Sequence, residues 1–354
     1  MVQSVYSWAI SWFIHVVASN PEEHIPERRE ADARLDLIGW LVIARAGLIG
    51  LISGLVVVGV AFFLEGHHFA SGLSSLEVFL VMTLVSALAT GFELLFIYRD
   101  SLQTAARMAS ILGIPKEDLE TVGLEHSIPH WLIHAALGAP GFKGTMFGID
   151  PLEHIGKAGH FIRKILSKLR VLASATMFKI IVRRLWARLM GRVAARAIAM
   201  LVALPFFVFF NMVGTRSMIR DMRSRLVGHE LMPKLIVHAF PEGLDGISNA
   251  MHCELRRGLS EQIQTARFIH PNQIRFLNTL PKKNYAHVES DATTRRRAQR
   301  FLLALFFMSG QFTPRCRKLV RKIEAELGEE EAELIHQEID DAIHDLTPLE
   351  RPWV

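Results

Sequence analysis

Two long apolar stretches near the amino terminus constrain this chain more than any other feature. Residues 37–64 contain one charged side chain, Arg45, and residues 78–98 contain one, Glu93. About 20 apolar helical residues cross the roughly 30 Å hydrocarbon layer of a bilayer, and both stretches reach that length. Residues 65–77, which separate them, leave room only for a tight connection. The pattern therefore predicts a transmembrane hairpin of two helices.

The charges around this hairpin predict its orientation. Residues 65–77 contain no lysine or arginine. Basic side chains lie at the other end of each stretch: Arg28, Arg29, Arg34 and Arg45 for the first, and Arg99, Arg107 and Lys116 for the second. Because segments rich in Lys and Arg stay in the cytoplasm, we expect a multi-pass protein of the cell inner membrane with cytoplasmic amino and carboxyl termini. The chain has only two cysteines, as is usual in a reducing compartment.

Small and charged residues within the two stretches predict how the helices pack. The pairs Gly50/Gly54 and Ala87/Gly91 have the small-xxx-small spacing that lets membrane helices approach closely, so we expect them to pack on each other. Arg45 and Glu93 both lie near the cytoplasmic end of their helices, where they form a candidate intramembrane pair. Such a pair is either structural or part of an ion path.

The middle of the chain is strongly basic. Residues 154–220 contain 13 lysines and arginines and no acidic residue. Within residues 165–190, apolar and basic positions alternate as in a helix that lies on anionic phospholipid. A nucleic-acid interface is not predicted, because no recognition motif accompanies the charge. The candidate lipid-facing residues are Lys164, Lys168, Lys179, Arg183, Arg184, Arg188 and Arg192.

An apolar run of 17 residues, 197–213, follows the basic segment and contains Pro205. Its length is at the lower limit for a membrane span. A crossing here would export about 140 residues together with a basic flank, against the charge rule. We therefore expect a helix that is embedded in the cytoplasmic leaflet or buried in the domain, with a true crossing as the alternative.

The carboxyl-terminal region divides by charge. Residues 292–322 contain nine basic and no acidic side chains, whereas residues 323–345 contain ten acidic and no basic ones. Apolar residues recur at helical spacing through both segments. We expect oppositely charged helices that neutralise each other.

His130 and His134 are the candidate metal ligands. Their i, i+4 spacing places both imidazoles on one helix face, and Glu125, Asp150, Glu153 and His154 are the nearest further ligands. The competing interpretation is that these histidines lie at the level of the lipid headgroups. No nucleophile–base pair or phosphate-binding loop is found, so no catalytic residue and no cofactor are predicted.

Two family resemblances are visible. Residues 47–226 resemble the EcsC family of bacterial membrane-associated proteins, through the glycine-rich first helix, Arg99-x7-Met108-Ala109-x3-Gly113-Ile114, Pro205 and Phe-Asn211-Met-Val-Gly-Thr215-Arg216. This family has a glycine-rich stretch before the Asn, where residues 206–209 are bulky here. Residues 298–334 resemble the last helices of the TerB-like tellurite-resistance domains, but the acids expected around Gly310 and Thr313 are absent. The resemblances imply a membrane-associated stress or transport-accessory protein.

The sequence thus predicts an all-α integral membrane protein in four parts. Residues 1–36 form an interfacial helix and linker, 37–98 the hairpin, 99–230 an EcsC-like basic region, and 231–354 a TerB-like helical domain. The predicted function is that of a non-enzymatic scaffold or accessory protein, with anionic phospholipid and either a protein partner or self-association. The alternatives are an oligomeric pore or transport subunit and, third, a metal-dependent membrane enzyme.

Overall fold

A computed structural model describes residues 12, 28–71, 75–114, 132–133, 135, 148–151, 193–281, 290–310 and 314–349. The predicted all-α class is confirmed for this part of the chain, which forms helices and no strands. The helices are α1 (Arg28–Ser71), α2 (Ser75–Ile111), α3 (Val193–Ala239), α4 (Asn249–Ala266), α5 (Pro271–Thr279), α6 (Ala292–Met308), α7 (Pro314–Leu327) and α8 (Glu329–His344).

Helices α1 and α2 contain the two apolar stretches and extend beyond both. Each is long and apolar enough to cross a membrane: an 18-residue window within Glu30–Leu64 has a mean hydropathy of 2.6, and one within Leu80–Ile111 has a mean hydropathy of 2.0. Three residues separate the helices. Helix α2 ends where Gly113 adopts φ +70°, a left-handed conformation that glycine adopts without strain. The amide of Ile114 there donates to the carbonyl of Ala109.

The chain forms two compact units that interleave along the sequence. Unit 1 comprises Met1–Asp36, Ala105–Ile155 and Arg220–Val354, and unit 2 comprises Leu37–Thr104 and Gly156–Ile219. Helices α1, α2 and α3 each contribute residues to both units, whereas α4–α8 belong to unit 1 alone.

Unit 1 has the core of a water-soluble helical domain. Phe240, Phe276 and Phe301 are fully buried, and the ring of Phe301 lies 5.2 Å from that of Phe240 and 4.6 Å from that of Phe276. Side chains of Ser248 and Asp291 cap α4 and α6 by accepting bonds from backbone amides. Helices α4 and α6 thus begin with side-chain caps, and the ring of Phe301 on α6 packs against those of Phe240 and Phe276.

The opposite charges of the carboxyl-terminal region meet within unit 1. Arg296 and Arg300 of α6 both donate to the carboxylate of Glu331 on α8. Lys322 of α7 lies 3.3 Å from Glu261 of α4. The expected neutralisation is confirmed for α6 and α8.

The apolar run 197–213 lies inside the 47-residue helix α3, which continues through Pro205. Leu204 and Asn211 are buried, but Phe206, Phe209 and Val213 are about half exposed. The expected arrangement of this helix, embedded in the cytoplasmic leaflet or buried in the domain, with a crossing as the alternative, stays a prediction.

Candidate functional site

Unit 2 differs from unit 1 in its exterior, which is apolar. Twenty of the twenty-two exposed large apolar side chains in the described residues belong to unit 2. They lie on all three helices, for example Trp40 on α1, Phe92 on α2 and Phe209 on α3. The buried side chains of unit 2 include polar ones: Ser53, Thr90, Glu93, Ser101, Thr104, Asn211 and Thr215. An apolar exterior is the arrangement expected of helices in lipid.

Asn211 and Glu93 form the central polar contact inside unit 2. The Asn211 amide Nδ2 donates to Glu93 Oε1 at 2.7 Å and to the Ala46 carbonyl at 3.3 Å. Asn211 is 9% exposed and Glu93 is 2% exposed. One amide group on α3 thereby links α1 and α2, which are distant from it in sequence. Asn211 was noted in the sequence only as part of a family motif.

The glycines of α1 pack against α3. A Cβ atom at Gly50 would lie 2.4 Å from Asn211 Nδ2, and one at Gly54 would lie 2.2 Å from Leu204 Cδ2, so neither position has room for a side chain. A Cβ atom at Gly91 of α2 would meet nothing within 4 Å. The expected packing of Gly54 against Gly91 is therefore wrong. The small residues of α1 do form a close helix contact, but with a third helix 150 residues further along the chain.

The predicted intramembrane pair consists of Arg45 and Glu93, and each of them has a different partner in the structure. Arg45 Nη1 lies 2.9 Å from Asp100 Oδ1, with the arginine half exposed. Glu93 accepts from Asn211. Neither bond joins Arg45 to Glu93. Asp100 lies two turns beyond Glu93 on α2, so the arginine reaches toward the end of the apolar stretch.

A buried arginine of unit 1, Arg223, was not identified from the sequence. Its Nη1 donates to Asp36 at 2.6 Å, its Nη2 donates to Asp32, and its Nε donates to the Ile343 carbonyl at 2.9 Å. Nη2 also donates to the His344 carbonyl. The guanidinium thus binds two carboxylates of α1 and the last carbonyls of α8, which lack partners within their helix. Only the fold brings these partners together.

Two histidines are held neutral inside unit 1. Burial, with the Arg225 charge, lowers the pKa of His270 to about 3. Burial, with the Arg275 charge, lowers the pKa of His229 to about 4. His270 also starts α5, because its Nδ1 accepts from the Asn272 amide and Gln273 Oε1 accepts from the His270 amide.

The predicted metal and lipid sites lie outside the described residues. His130 and His134 are not among them, and neither is any of the seven candidate lipid-facing residues from Lys164 to Arg192. Within the described ranges, no group of three or more His, Cys, Asp or Glu side chains could hold a metal ion. Both sites stay predictions.

Comparison of the chain with protein-family models, with curated proteins and with solved structures finds no match.

Proposed function

We propose that this protein is a non-enzymatic scaffold or accessory protein of the inner membrane, with unit 2 in the bilayer and unit 1 in the cytoplasm. The observation that carries the proposal is the apolar exterior of unit 2. Twenty large apolar side chains are exposed there, while Glu93 and Asn211 are buried.

The magnitude of this exposure favours lipid over water. Full burial of a large apolar side chain is worth about 1.5–3 kcal/mol. Twenty side chains left roughly half exposed in water forgo on the order of 20 kcal/mol, which exceeds the typical 5–15 kcal/mol stability of a folded protein. Continuous apolar surfaces of this size mark contact with a membrane or a partner.

The polar contact inside unit 2 supports a structural role for the membrane part. Where lipid surrounds the helices, burial of apolar surface cannot hold them together, and close backbone approach and interhelical hydrogen bonds take its place. Gly50 and Gly54 supply the close approach, and Asn211 supplies the hydrogen bonds. The EcsC-like and TerB-like resemblances support the same reading as an accessory protein in stress response or transport.

Anionic phospholipid is the proposed lipid partner, through the basic segment from Lys164 to Arg192. Each Lys or Arg near an anionic surface contributes about 1 kcal/mol to binding. The further partner is a membrane or cytoplasmic protein, or a second copy of this chain. Nothing in the proposal requires nucleic acid or a cofactor.

Membrane fractionation tests the proposal. The full chain is expected to stay in the membrane pellet after washes with high salt and with alkaline carbonate, and to require detergent for release, because apolar contacts are insensitive to both washes. Release by carbonate would refute integration into the bilayer. Release by salt alone would show that charge is the only attachment.

Lipid analysis of the detergent-purified protein tests the anionic partner. We expect enrichment of phosphatidylglycerol over its share of the source membrane, and loss of that enrichment when the seven candidate residues are replaced by glutamine. A matched control replaces four exposed basic residues of α7 instead, Arg315, Arg317, Lys318 and Arg321. Equal loss in both variants would mean that total charge, and not this segment, selects the lipid.

The runner-up function is a pore, and the buried acid Glu93 is the observation that favours it. Vesicles that contain the full chain are expected to show no more cation flux than protein-free vesicles, because Glu93 is occupied by Asn211. Flux that is present in the native chain and abolished by Glu93→Gln would establish the pore in place of the scaffold.

A further inference from the structure

We infer that this protein pairs with a second copy of itself through unit 1, where a row of basic side chains on α7 binds a row of acidic side chains on α8 of the other copy. The inference rests on the proposed scaffold function, and it commits the protein partner of that function to a second copy. Three observations carry it. The two rows have opposite charge, neither is neutralised within the described residues, and both repeat their charges at the same spacing.

Helix α7 has a basic face. The apolar side of this helix is buried, with Cys316, Leu319 and Ile323. The basic face consists of the five exposed cations on the other side: Arg315, Arg317, Lys318, Arg321 and Lys322. Lys322 lies 3.3 Å from Glu261 of α4. The other four form no ion pair with the described residues, so most of this charge is not neutralised there.

Helix α8 has an acidic face, which consists of Glu329, Glu330 and Glu333. All three are exposed and form no ion pair within the described ranges. Their neighbour Glu331 is the acid that receives two arginines of α6, so α8 binds its own unit without the other three. The helix dipole favours acids in the first turn, which accounts for Glu329 and Glu330. It does not account for Glu333, which lies one turn after Glu329.

The basic face and the acidic face do not neutralise each other within one chain. Helices α7 and α8 are joined by Gly328, and both contact α6. His336 of α8 stacks on Phe307 of α6, with ring centroids 4.3 Å apart. Gln299 of α6 donates to Glu326 of α7. Both charged faces are left exposed, and any side chain that neutralises them comes from outside the described part of the chain.

The two faces match in length and in spacing. Helix α7 has 14 residues and α8 has 16, which is about 21 Å and about 24 Å of helix. Lys318 and Arg321 are three residues apart on α7, as are Glu330 and Glu333 on α8. Residues at this spacing lie next to each other on one side of a helix. Two such helices placed side by side can therefore bring two cations against two acids.

A second copy satisfies both faces at once. In a dimer with a twofold axis, the contact of α7 with α8 of the other copy occurs twice, and the interface is closed. Opposite charges across an interface favour the correct partner, and like charges exclude others. An anionic lipid surface or an acidic protein would neutralise the basic face and leave the acidic face without a partner. The two faces together therefore specify a second copy.

Charge exchange between the faces tests the inference. The full chain in non-ionic detergent is expected to be a dimer by light scattering, and added salt should raise its dissociation constant. Lys318→Glu with Arg321→Glu makes both faces acidic, and Glu330→Lys with Glu333→Lys makes both basic. Each variant alone should have a dissociation constant at least about 100-fold higher, because like charges then meet. An equal mixture of the two variants should form a heterodimer, because each reversed face then meets its complement.

The control variant Arg107→Glu with Arg295→Glu changes two exposed arginines outside α7. It alters the net charge as much as the α7 variant does and should leave the dimer intact. A native chain that is monomeric, reversed variants that still dimerise, or equal loss in the control would each overturn the inference. So would two folded variants that do not combine. If a reversed variant does not accumulate, Lys318→Gln with Arg321→Gln is expected to raise the dissociation constant about tenfold.

Carbodiimide coupling tests the contact itself, since it joins a lysine amine directly to a carboxylate that touches it. The native chain is prepared with and without an isotope label, and the two preparations are mixed. Products that join Lys318 to Glu330 or Glu333 are expected to include peptides that combine both isotopes. Products of a single isotope alone would place the contact within one chain and overturn the inference.

The outcomes separate the inference from the function on which it rests. A chain that stays in the membrane after carbonate but is monomeric in detergent excludes the second copy as partner, while the membrane function stands. A chain that carbonate releases, but that dimerises through these two faces, refutes integration into the bilayer and supports the dimer.

Discussion

Units 1 and 2 are built from the same kind of helix but expose different side chains. In unit 1, Phe276 and Phe301 are fully buried, and only two large apolar side chains of the described residues, Val237 and Leu334, are exposed. In unit 2, Phe92 and Phe209 are exposed, and Glu93 and Asn211 are buried. Three helices contribute to both units, so the change occurs along single helices.

With unit 2 in lipid, as proposed, the solvent of each unit accounts for this contrast. In water, apolar surface is removed from solvent and the core follows. In lipid, apolar surface is already satisfied, so small residues and polar side chains are what helices turn toward each other. Variants at matched positions in the two units test this contrast.

The largest effect is expected at the buried charge of unit 1. Arg223→Met leaves Asp32, Asp36 and two helix-end carbonyls without their cation, which should cost about 3–5 kcal/mol of unfolding free energy. The matched variant Arg45→Met in unit 2 removes a half-exposed ion pair and should cost less than about 1 kcal/mol. Thermal and urea unfolding of the full chain in detergent measures both.

If Arg223→Met does not accumulate, Asp36→Asn removes one of the four bonds and is expected to lower the stability by about 1 kcal/mol. Similar losses for Arg223→Met and Arg45→Met would contradict the view that buried charge organises unit 1.

The second-largest effect is expected when an exposed apolar side chain of each unit is replaced by arginine. Phe209 is 58% exposed in unit 2 and Leu334 is 47% exposed in unit 1. Phe209→Arg should cost about 2.5–3.5 kcal/mol if the side chain faces the middle of a bilayer. Leu334→Arg should stay within about 0.5 kcal/mol, as is usual for a surface position in water. The unfolding free energy of each variant, measured in proteoliposomes, tests this difference. Equal losses in the two variants would show that both residues face the same solvent.

Acid should weaken unit 1 more than unit 2. Because the folded-state pKa values of His270 and His229 are lowered to about 3 and about 4, the stability that their neutral forms provide is complete above the unfolded value near 6.5. It is lost as the pH falls through 6.5 toward the folded values. At pH 5 the expected loss is about 2 kcal/mol for each histidine.

Hydrogen exchange at pH 7.5 and pH 5, corrected for the intrinsic rate, measures this loss separately in each unit. Amides of residues 220–279 should lose protection at pH 5, while those of residues 37–64 should not. His270→Asn keeps a side-chain acceptor at the start of α5 and removes the titration. A pH dependence unchanged in this variant would exclude His270 as its source.

The smallest effect is expected at the contact of α1 with α3. Gly50→Ala places a methyl group against Asn211, and Asn211→Ala removes the bonds to Ala46 and Glu93, so each should cost about 1 kcal/mol. The double variant should cost less than the sum, because shortening Asn211 makes room for the methyl group. Gly59→Ala, which meets nothing within 4 Å, is the control and should be neutral or slightly stabilising. Strict additivity would contradict the contact.

The sequence predicted the elements whose evidence is local. The two apolar stretches lie within helices α1 and α2. Their helical, membrane-compatible character could be predicted because it depends only on the length and composition of each run. The end of α2 near Gly113 follows from glycine's freedom to adopt positive φ. The charge pairing of α6 with α8 follows from two uniformly charged segments.

The partners of these elements were beyond local evidence. Gly50 indicated a close helix contact, but α2 and α3 satisfy a small-residue pattern equally well, and only packing selects α3. For the predicted pair of Arg45 and Glu93, the structure gives Asp100 as a partner of Arg45 and Asn211 as a donor to Glu93, and neither contact was visible from local sequence. Arg223 is one of many arginines in a basic chain, and nothing near it in sequence marks it as buried.

The bonds of Arg223 also set an order on the synthesis of the chain. Asp32 is 191 residues before this arginine, and the His344 carbonyl is 121 residues after it. At roughly 5–20 residues per second, a ribosome needs about 15–60 s to pass from the first partner to the last. The two acids of α1 are therefore made well before the arginine and the helix-end carbonyls that complete the contact. The contact that joins both ends of the chain is among the last to form, and a chain released early would lack it.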